Sequence, residues 1–346
     1  MTFLVALLAL FAIALLYQAV STWRDRRRYP APGSVFDIGC GRLHLHRRGT
    51  GQPVVVLESG IAASSLSWTL VQSKVAEFTQ VCSYDRAGLG WSTRCTQPRT
   101  VEQMVEELHL LLSRAQAPPP YVLAGHSFGG LLIRAYAHFH PSEVSGLVFV
   151  DPVSLEYWAK CGNEELARLR AGARLSRRGA LLADCGVVRV SLALLASGRR
   201  FVPKLLARLT ARRAGSETSE RIAGEMRHLP PETLPPIRSN WSRSASFRAM
   251  AAYLEGLPNN AKAALAMPIP EHVPFIVLSA GNATDAELSE RDSWAARAKD
   301  KAWHIRVEQS GHWLQLEKPD AVVRAIEELV ELARNSSLLN SLAGRR

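Results

Sequence analysis

Residues 121–131 limit the fold more than any other part of this 346-residue chain. They read as an apolar strand, Tyr121-Val122-Leu123-Ala124, then Gly125-His126-Ser127-Phe128-Gly129-Gly130, then a helical run beginning at Leu131. Glycines two before and two after a serine suit a strand-to-helix turn so tight that a side chain at either place would strike its neighbours. Such a turn is expected to hold Ser127 strained and exposed. The following helix aims its positive N-terminal end at any negative charge that develops there.

Short apolar runs and helical patterns alternate on both sides of this turn, which argues for a mostly parallel sheet covered by helices. The predicted strands are residues 35–38 and 43–47, an opening hairpin, followed by 54–57, 81–84, 121–124, 147–150, 275–278 and 305–307. Helical periodicity covers 101–115, 131–138 and 321–333. Between Val153 and about Pro270 the alternation stops, and arginine-rich amphipathic stretches at 166–175 and 187–209 predict an inserted helical cap. Within it, residues 192–196 are apolar but far too short to span a bilayer, and are expected to form the buried face of a cap helix.

The amino terminus has a different character. Residues 2–20 carry no charge, and as a helix they would span about 28 Å, close to the roughly 30 Å of a bilayer core. A cleaved signal peptide needs a basic region ahead of its apolar run, whereas Met1 and Thr2 alone precede Phe3, so a single transmembrane anchor is expected. Arg24, Arg26, Arg27 and Arg28 follow, and the positive-inside rule would keep that flank and the folded domain in the cytoplasm. Tyr29-Pro30-Ala31-Pro32-Gly33 disfavours further helix. The resulting division is an anchor over 1–23, a basic, proline-containing linker over 24–33, the sheet domain over 34–152 and 271–335, the cap over 153–270, and a flexible tail over 336–346.

The net charge of +11 is localised. Residues 160–248 hold 18 Lys and Arg against 7 Asp and Glu, a surplus of 11, and the rest of the chain balances at 24 against 24. Aromatic residues are not interleaved with these arginines, so an exposed helix face accounts for them and no nucleic-acid partner is expected. The five cysteines, at 40, 82, 95, 161 and 185, form no CxxC pair, and an odd count closes no disulfide framework. A reducing compartment is favoured, with no structural metal and no cofactor.

A serine hydroxyl is a weak nucleophile near neutral pH and needs an imidazole to take its proton. Of ten histidines, His312 in Gly311-His312-Trp313 follows the last predicted strand, late in the chain, as the order serine, acid, histidine requires. His44 and His46 share one strand face, His138 and His140 sit at a helix end beside Pro141, and His126 lies inside the turn. Two acids stand at strand carboxyl ends, Asp151 and Asp285. Asp151 is favoured because the strand it terminates fixes it, whereas Asn282-Ala283-Thr284 lengthens the loop before Asp285. Their structural alternatives are helix caps. An oxyanion hole needs two backbone N–H groups, expected from Phe128 and from Ile61 in Ser59-Gly60-Ile61.

Glu58-Ser59-Gly60 with Trp68, the run Tyr84-Asp85-Arg86-Ala87-Gly88-Leu89-Gly90-Trp91-Ser92, the turn from Gly125 to Gly130, Val150-Asp151-Pro152 and Ser310-Gly311-His312 together resemble the α/β-hydrolase superfamily, in particular bacterial fold-1 serine hydrolases with a Ser-His-Asp triad. The resemblance covers about residues 35–332, the cap excluded. It implies an eight-stranded α/β sheet with helices on both faces, and cleavage of an ester or related acyl bond, amide, peptide and C–C bonds being open to the same triad. The alternative, a non-catalytic membrane-tethered binding protein that keeps the fold, predicts a broken triad, whereas serine, histidine and two candidate acids are all present. It departs from the superfamily at Ser59-Gly60, where the oxyanion loop usually reads His-Gly. The related dehalogenases and epoxide hydrolases carry aspartate where this chain has Ser127. The run from Asp85 to Ser92 is implied to be scaffold. The expected partners are a small or lipid-like acyl substrate and, through the N-terminal helix, a membrane. Oligomeric state is not legible.

Overall fold

Side chains alternate across a strand, so a strand covered on both faces is apolar at nearly every position. The central strands follow that pattern, and their buried polar members Glu58, Ser83, His126 and Ser279 are each hydrogen-bonded. The structure, a computed structural model, describes residues 2–197, 228–298 and 301–343, with 337–343 as backbone only. Its strands are β1 (Ser34–Asp37), β2 (Arg42–Arg48), β3 (Val54–Glu58), β4 (Val81–Tyr84), β5 (Tyr121–His126), β6 (Val144–Val150), β7 (Phe275–Ala280) and β8 (Ala302–Val307). They form one sheet in the order β1-β2-β4-β3-β5-β6-β7-β8. β2 runs antiparallel to both its neighbours, and the pairs from β4 through β8 are parallel. This is the expected eight-stranded α/β sheet.

The helices are α1 (Thr2–Arg28), α2 (Thr69–Val75), α3 (Val101–Arg114), α4 (Phe128–Phe139), α5 (Leu155–Ala159), α6 (Asn163–Asp184), α7 (Val187–Ala196), α8 (Leu234–Trp241), α9 (Ser244–Leu265), α10 (Asp285–Arg297), α11 (Leu314–Glu317) and α12 (Pro319–Ala343). Odd and even strand positions feed different layers. Val54, Val56, Tyr121, Leu123, Leu147, Phe149, Phe275 and Val277 pack with α3, α4 and α9 on one face. Val55, Leu57, Val122, Ala124, Val148, Val150, Ile276 and Leu278 pack with α2 and α12 on the other.

Several expectations need correction. α1 continues through Arg24–Arg28, so the basic cluster is helical and is not linker; Pro30 is the first residue that forbids continuation. α12 runs to Ala343, into the expected tail, because nothing before Gly344 breaks it; residues 344–346 lie outside the described residues. Residues 153–270 are helical through most of the described part, but α9 is not confined to a cap. Its Tyr253, Leu257, Ala261 and Ala264, spaced by three and four, join the sheet-side core. Of the stretch 187–209, α7 covers Val187–Ala196, and 198–209 lie outside the described residues. α7 has no buried residue, so the expected buried face at 192–196 is absent.

The cysteines also differ from expectation. Cys40, in the β1–β2 turn, and Cys95, after β4, form a disulfide across 55 residues of sequence, while Cys82, Cys161 and Cys185 are free. Spacing rules look for close motifs and even counts, and the β2–β4 pairing that brings these two loops together is invisible to them.

Candidate active site

The sheet register places the chemistry-bearing residues at one level. Glu58 pairs with Gly125, His126 with Val150, and Val150 with Leu278, so Ser59, Ser127 and Asp151 all emerge at the carboxyl edge. Ser127 has φ 54° and ψ −117°, a conformation that costs a non-glycine residue about 1–3 kcal/mol. The glycines around it allow no alternative. A Cβ on Gly125 would lie 2.5 Å from the Gly129 carbonyl oxygen, and one on Gly129 would lie 2.4 Å from that of Glu58. Ser127 is strained as expected, but at 5% exposure it is not open to solvent. The Gly60 loop approaches its Cβ, and the segment after β6 closes on it through a Val153 N–H bond to the Ser127 carbonyl.

Asp151, itself at φ 41°, directs Oδ2 to Nδ1 of His312 at 2.7 Å. Its Oδ1 accepts from the Ala280 N–H at 3.0 Å and from Nη1 of Arg291 at 2.9 Å. Burial pushes this carboxyl up, but the hydrogen bond and charge of His312, the charge of Arg291 and the Ala280 amide outweigh it and hold the group at about 2. Asp285 is elsewhere in role. It is the exposed first residue of α10, next to the N-cap Thr284, and has no contact with His312 among the described residues. The cap position expected for it belongs to Thr284, which with Glu287 forms a reciprocal capping box.

The His312 loop is fixed by Glu317, which accepts from the N–H groups of Gly311 (2.6 Å) and Trp313 (3.3 Å). His126 braces the same loop. Its Nε2 lies 2.8 Å from the His312 carbonyl oxygen, which can only accept, so Nε2 carries the proton. Burial, then the neighbouring His312, lowers its pKa to about 3 and keeps the ring neutral. The rings of His126 and His312 are 4.7 Å apart. The Asp151 contact and the His126 ring bring His312 to the same edge of the sheet as Ser127, and the side chains of Ser127 and His312 make no hydrogen bond with each other in this state; catalytic bonds of this kind often tighten when substrate binds.

Phe128 and Ile61 flank the serine, and among the described residues neither backbone N–H has a hydrogen-bond partner within the chain. The loop carrying Ile61 is held from below by Arg86, which donates to the carbonyls of Ser59 and Gly60 and pairs with the buried Glu58. Arg86 also lies over the rings of Phe128 and Tyr253. Asp85 is scaffold: its carboxylate accepts from His44 Nδ1 (2.8 Å) and from the N–H groups of Ser65 (2.7 Å) and Trp91 (2.9 Å).

Sequence reasoning missed Arg291 and Glu290. Arg291 is 2% exposed and also bonds Ser279 Oγ and the Pro152 carbonyl, while Glu290 accepts from the N–H groups of Leu155 and Glu156. Adjacent charges on a helix look like a solvated face, and nothing local separates these two from Asp292 or Glu287. For a metal, the described residues offer two groupings. Cys40, Cys95 and Glu107 have their sulfurs committed to the disulfide. His109, His140 and Glu143, at the far end of α4 from Ser127, have imidazoles stacked at 4.1 Å and 5°, so their in-plane lone pairs run parallel and do not converge.

A model described as the alpha/beta hydrolase family matches residues 54–325. An uncharacterized protein of Bacillus subtilis, YqjL, is 33% identical over 114 residues, 33% of this chain and 45% of that protein. The matches span less than half the length of the first curated relatives. Among solved structures, a Pseudomonas aeruginosa protein assigned as an epoxide hydrolase superposes with a TM-score of 0.66 at 18% identity, over 87% of this chain and 96% of that one. A thermophilic esterase from Thermogutta terrifontis gives 0.57 at 21% identity, over 85% and 94%.

Because the Asp151 carboxyl sits below its ordinary value of 3.8, it stabilises the fold fully above that value, and this contribution is lost as pH falls towards about 2. The loss should reach about 2 kcal/mol. Unfolding free energies of wild type and Asp151→Asn, followed across this range, should converge; parallel curves would contradict the assignment of its charge.

Proposed function

The chain belongs to the alpha/beta hydrolase family, and on that premise we propose that it is a serine hydrolase that cleaves carboxylic esters through an acyl-enzyme on Ser127. The observation that carries this reading is the Asp151–His312 contact at 2.7 Å beside a serine held at positive φ. In the proposed reaction Nε2 of His312 takes the Ser127 Oγ proton as Oγ attacks the carbonyl carbon. Asp151, fixed by Arg291 and Ala280, holds Nδ1–H and stabilises the imidazolium. The N–H groups of Ile61 and Phe128 receive the negative oxygen. His312 returns its proton to the departing alkoxide, and water, activated by the same imidazole, then frees the acid and Ser127. No cofactor enters.

An apolar or lipid-derived ester is the proposed substrate class, supported by the N-terminal helix. Its mean hydropathy reaches 2.5, and it is long and apolar enough to cross a membrane, as an anchor or as a signal sequence. Retention as an anchor is supported by its contacts with the folded domain. Gln18 is buried and donates to the Ser242 carbonyl, and Asp25 pairs with Arg189; cleavage would remove both partners. For the side of the membrane, the flanking arginines favour the cytoplasm and the Cys40–Cys95 disulfide favours an oxidising compartment. We give the disulfide precedence, because large domains translocate largely regardless of charge, whereas a disulfide does not persist among cytosolic thiols.

Two experiments follow. With p-nitrophenyl esters, Ser127→Ala should abolish hydrolysis and Asp151→Asn should lower kcat by about 10⁴-fold, with Asp285→Asn unchanged. An active Asp151→Asn with an inactive Asp285→Asn would refute the proposed triad. For topology, protein denatured and alkylated directly from intact cells should take up maleimide-polyethylene glycol at the three free cysteines before reduction and at all five after it. Five adducts before reduction would return the domain to the cytoplasm.

A further inference from the structure

α1 does not hang from a loose tether. Residues 2–13 are exposed on every side, but from Ala14 onward one stripe turns away from solvent: Ala14, Gln18, Ser21, Thr22 and Asp25, spaced by three and four. This stripe meets the cap at the corner where α6 ends and α7 begins, a bend of 90°. Gly186 forms the corner at φ 73°, and a Cβ there would lie 2.9 Å from Cδ1 of Tyr17. Arg189, the one charged residue of α7, reaches along α1 to Gln18 Oε1 (3.0 Å) and the Asp25 carboxylate.

These contacts set a height. At about 1.5 Å per residue, Tyr17 stands roughly 22 Å along the helix from Thr2, so the corner lies near the end of the charge-free segment, where a bilayer core gives way to headgroups. α7 begins at that level. Its remaining residues, Val187, Val188, Val190, Ser191, Leu192, Ala193, Leu194, Leu195 and Ala196, are uncharged, and none is buried; Val190 is 44% and Leu195 45% exposed. The outer face of α6 leads into it through exposed Arg174, Arg177 and Arg178 to Leu181, which is 65% exposed. Arg174 and Arg178 have no ion pair among the described residues.

We infer that α7 is an interfacial membrane-contact helix, laid into the headgroup region of the same bilayer that α1 enters, so that the cap is seated on the lipid at two points. This rests on the anchor proposed above. An apolar helix that meets α1 at its N-cap, is half-buried along Val187, Val188, Ser191 and Leu192, leaves Val190, Ala193, Leu195 and Ala196 exposed, and is preceded by Arg174 and Arg178 without ion pairs among the described residues, has the composition of an element that buries its outer face at the acyl boundary and offers charge to anionic headgroups. A bilayer is the occupant favoured over a second protein because the contact begins at the depth where α1 leaves the apolar core.

The test uses the full chain with Cys161 and Cys185 replaced by alanine and a single new cysteine at Leu8, Val190, Leu195 or Glu164, each carrying an environment-sensitive fluorophore. The protein is reconstituted into phosphatidylcholine and phosphatidylglycerol vesicles that contain shallow or deep spin-labelled quencher lipids. Labels at Val190 and Leu195 should be quenched by the shallow lipid, Leu8 by the deep one, and Glu164, at the far end of α6, by neither. If Leu8 is quenched and Val190 and Leu195 behave as in water, the inference is overturned while the anchor stands. If Leu8 is unquenched, the anchor and the inference both fail. Hydrolysis of a soluble ester by the same vesicles is scored separately, so loss of the hydrolase reading cannot be mistaken for loss of docking.

Discussion

The turn between β5 and α4 is the constraint from which the site grows. Gly125 and Gly129 approach each other and Glu58 so closely that the chain must reverse direction at Ser127 with positive φ. A strain of about 1–3 kcal/mol persists only where the surroundings over-determine it. Here the surroundings are the central strands, buried on both faces, whose register fixes Ser127 relative to Ser59 and Asp151 without help from any flexible loop. α4 must then begin at Phe128, which leaves its first amide without an intrahelical partner beside the serine.

Around that turn the structure buries charge in two separate systems. Asp151 is held anionic by three donors, and Arg86 and Glu58 neutralise each other beneath the Gly60 loop. Breaking such pairs exposes an uncompensated buried charge, at a cost of about 3–5 kcal/mol, so both act as clamps more than as net sources of stability. One clamp orients His312 and the other sets the height of the Ile61 amide. His126 joins the two, touching Gly60 on one side and the His312 carbonyl on the other, and burial keeps it out of the proton economy of the site.

The elements legible in the sequence were those encoded locally. Strands are legible as short apolar runs because burial on both faces leaves few polar positions, and the serine turn carries its own glycines. Asp151 was preferred to Asp285 because a strand terminus holds a side chain more firmly than a longer loop, and the structure has Asp151 on His312 and Asp285 exposed at the start of α10. What could not be read was tertiary. Arg291 looks like any charged helix residue until α10 is laid against β7 and β8 and the guanidinium reaches Asp151 and Pro152 past the end of β6. Cys40 and Cys95 meet only after β2 pairs with β4, and α9 looks like cap until its Tyr253 stripe is seen in the core. The face expected to be buried at 192–196 is likewise decided by tertiary packing: Leu192 and Leu194 are half-buried, and Ala193, Leu195 and Ala196 are exposed.

Everything proposed for this protein depends on an activated serine at position 127. Covalent labelling by a fluorophosphonate probe, comparing detergent-solubilised wild type with Ser127→Ala and His312→Ala, reads that activation at the residue itself. The wild type should be labelled, and the label should disappear in both variants. Absence of labelling in folded wild type, or labelling that survives Ser127→Ala, would contradict the proposal.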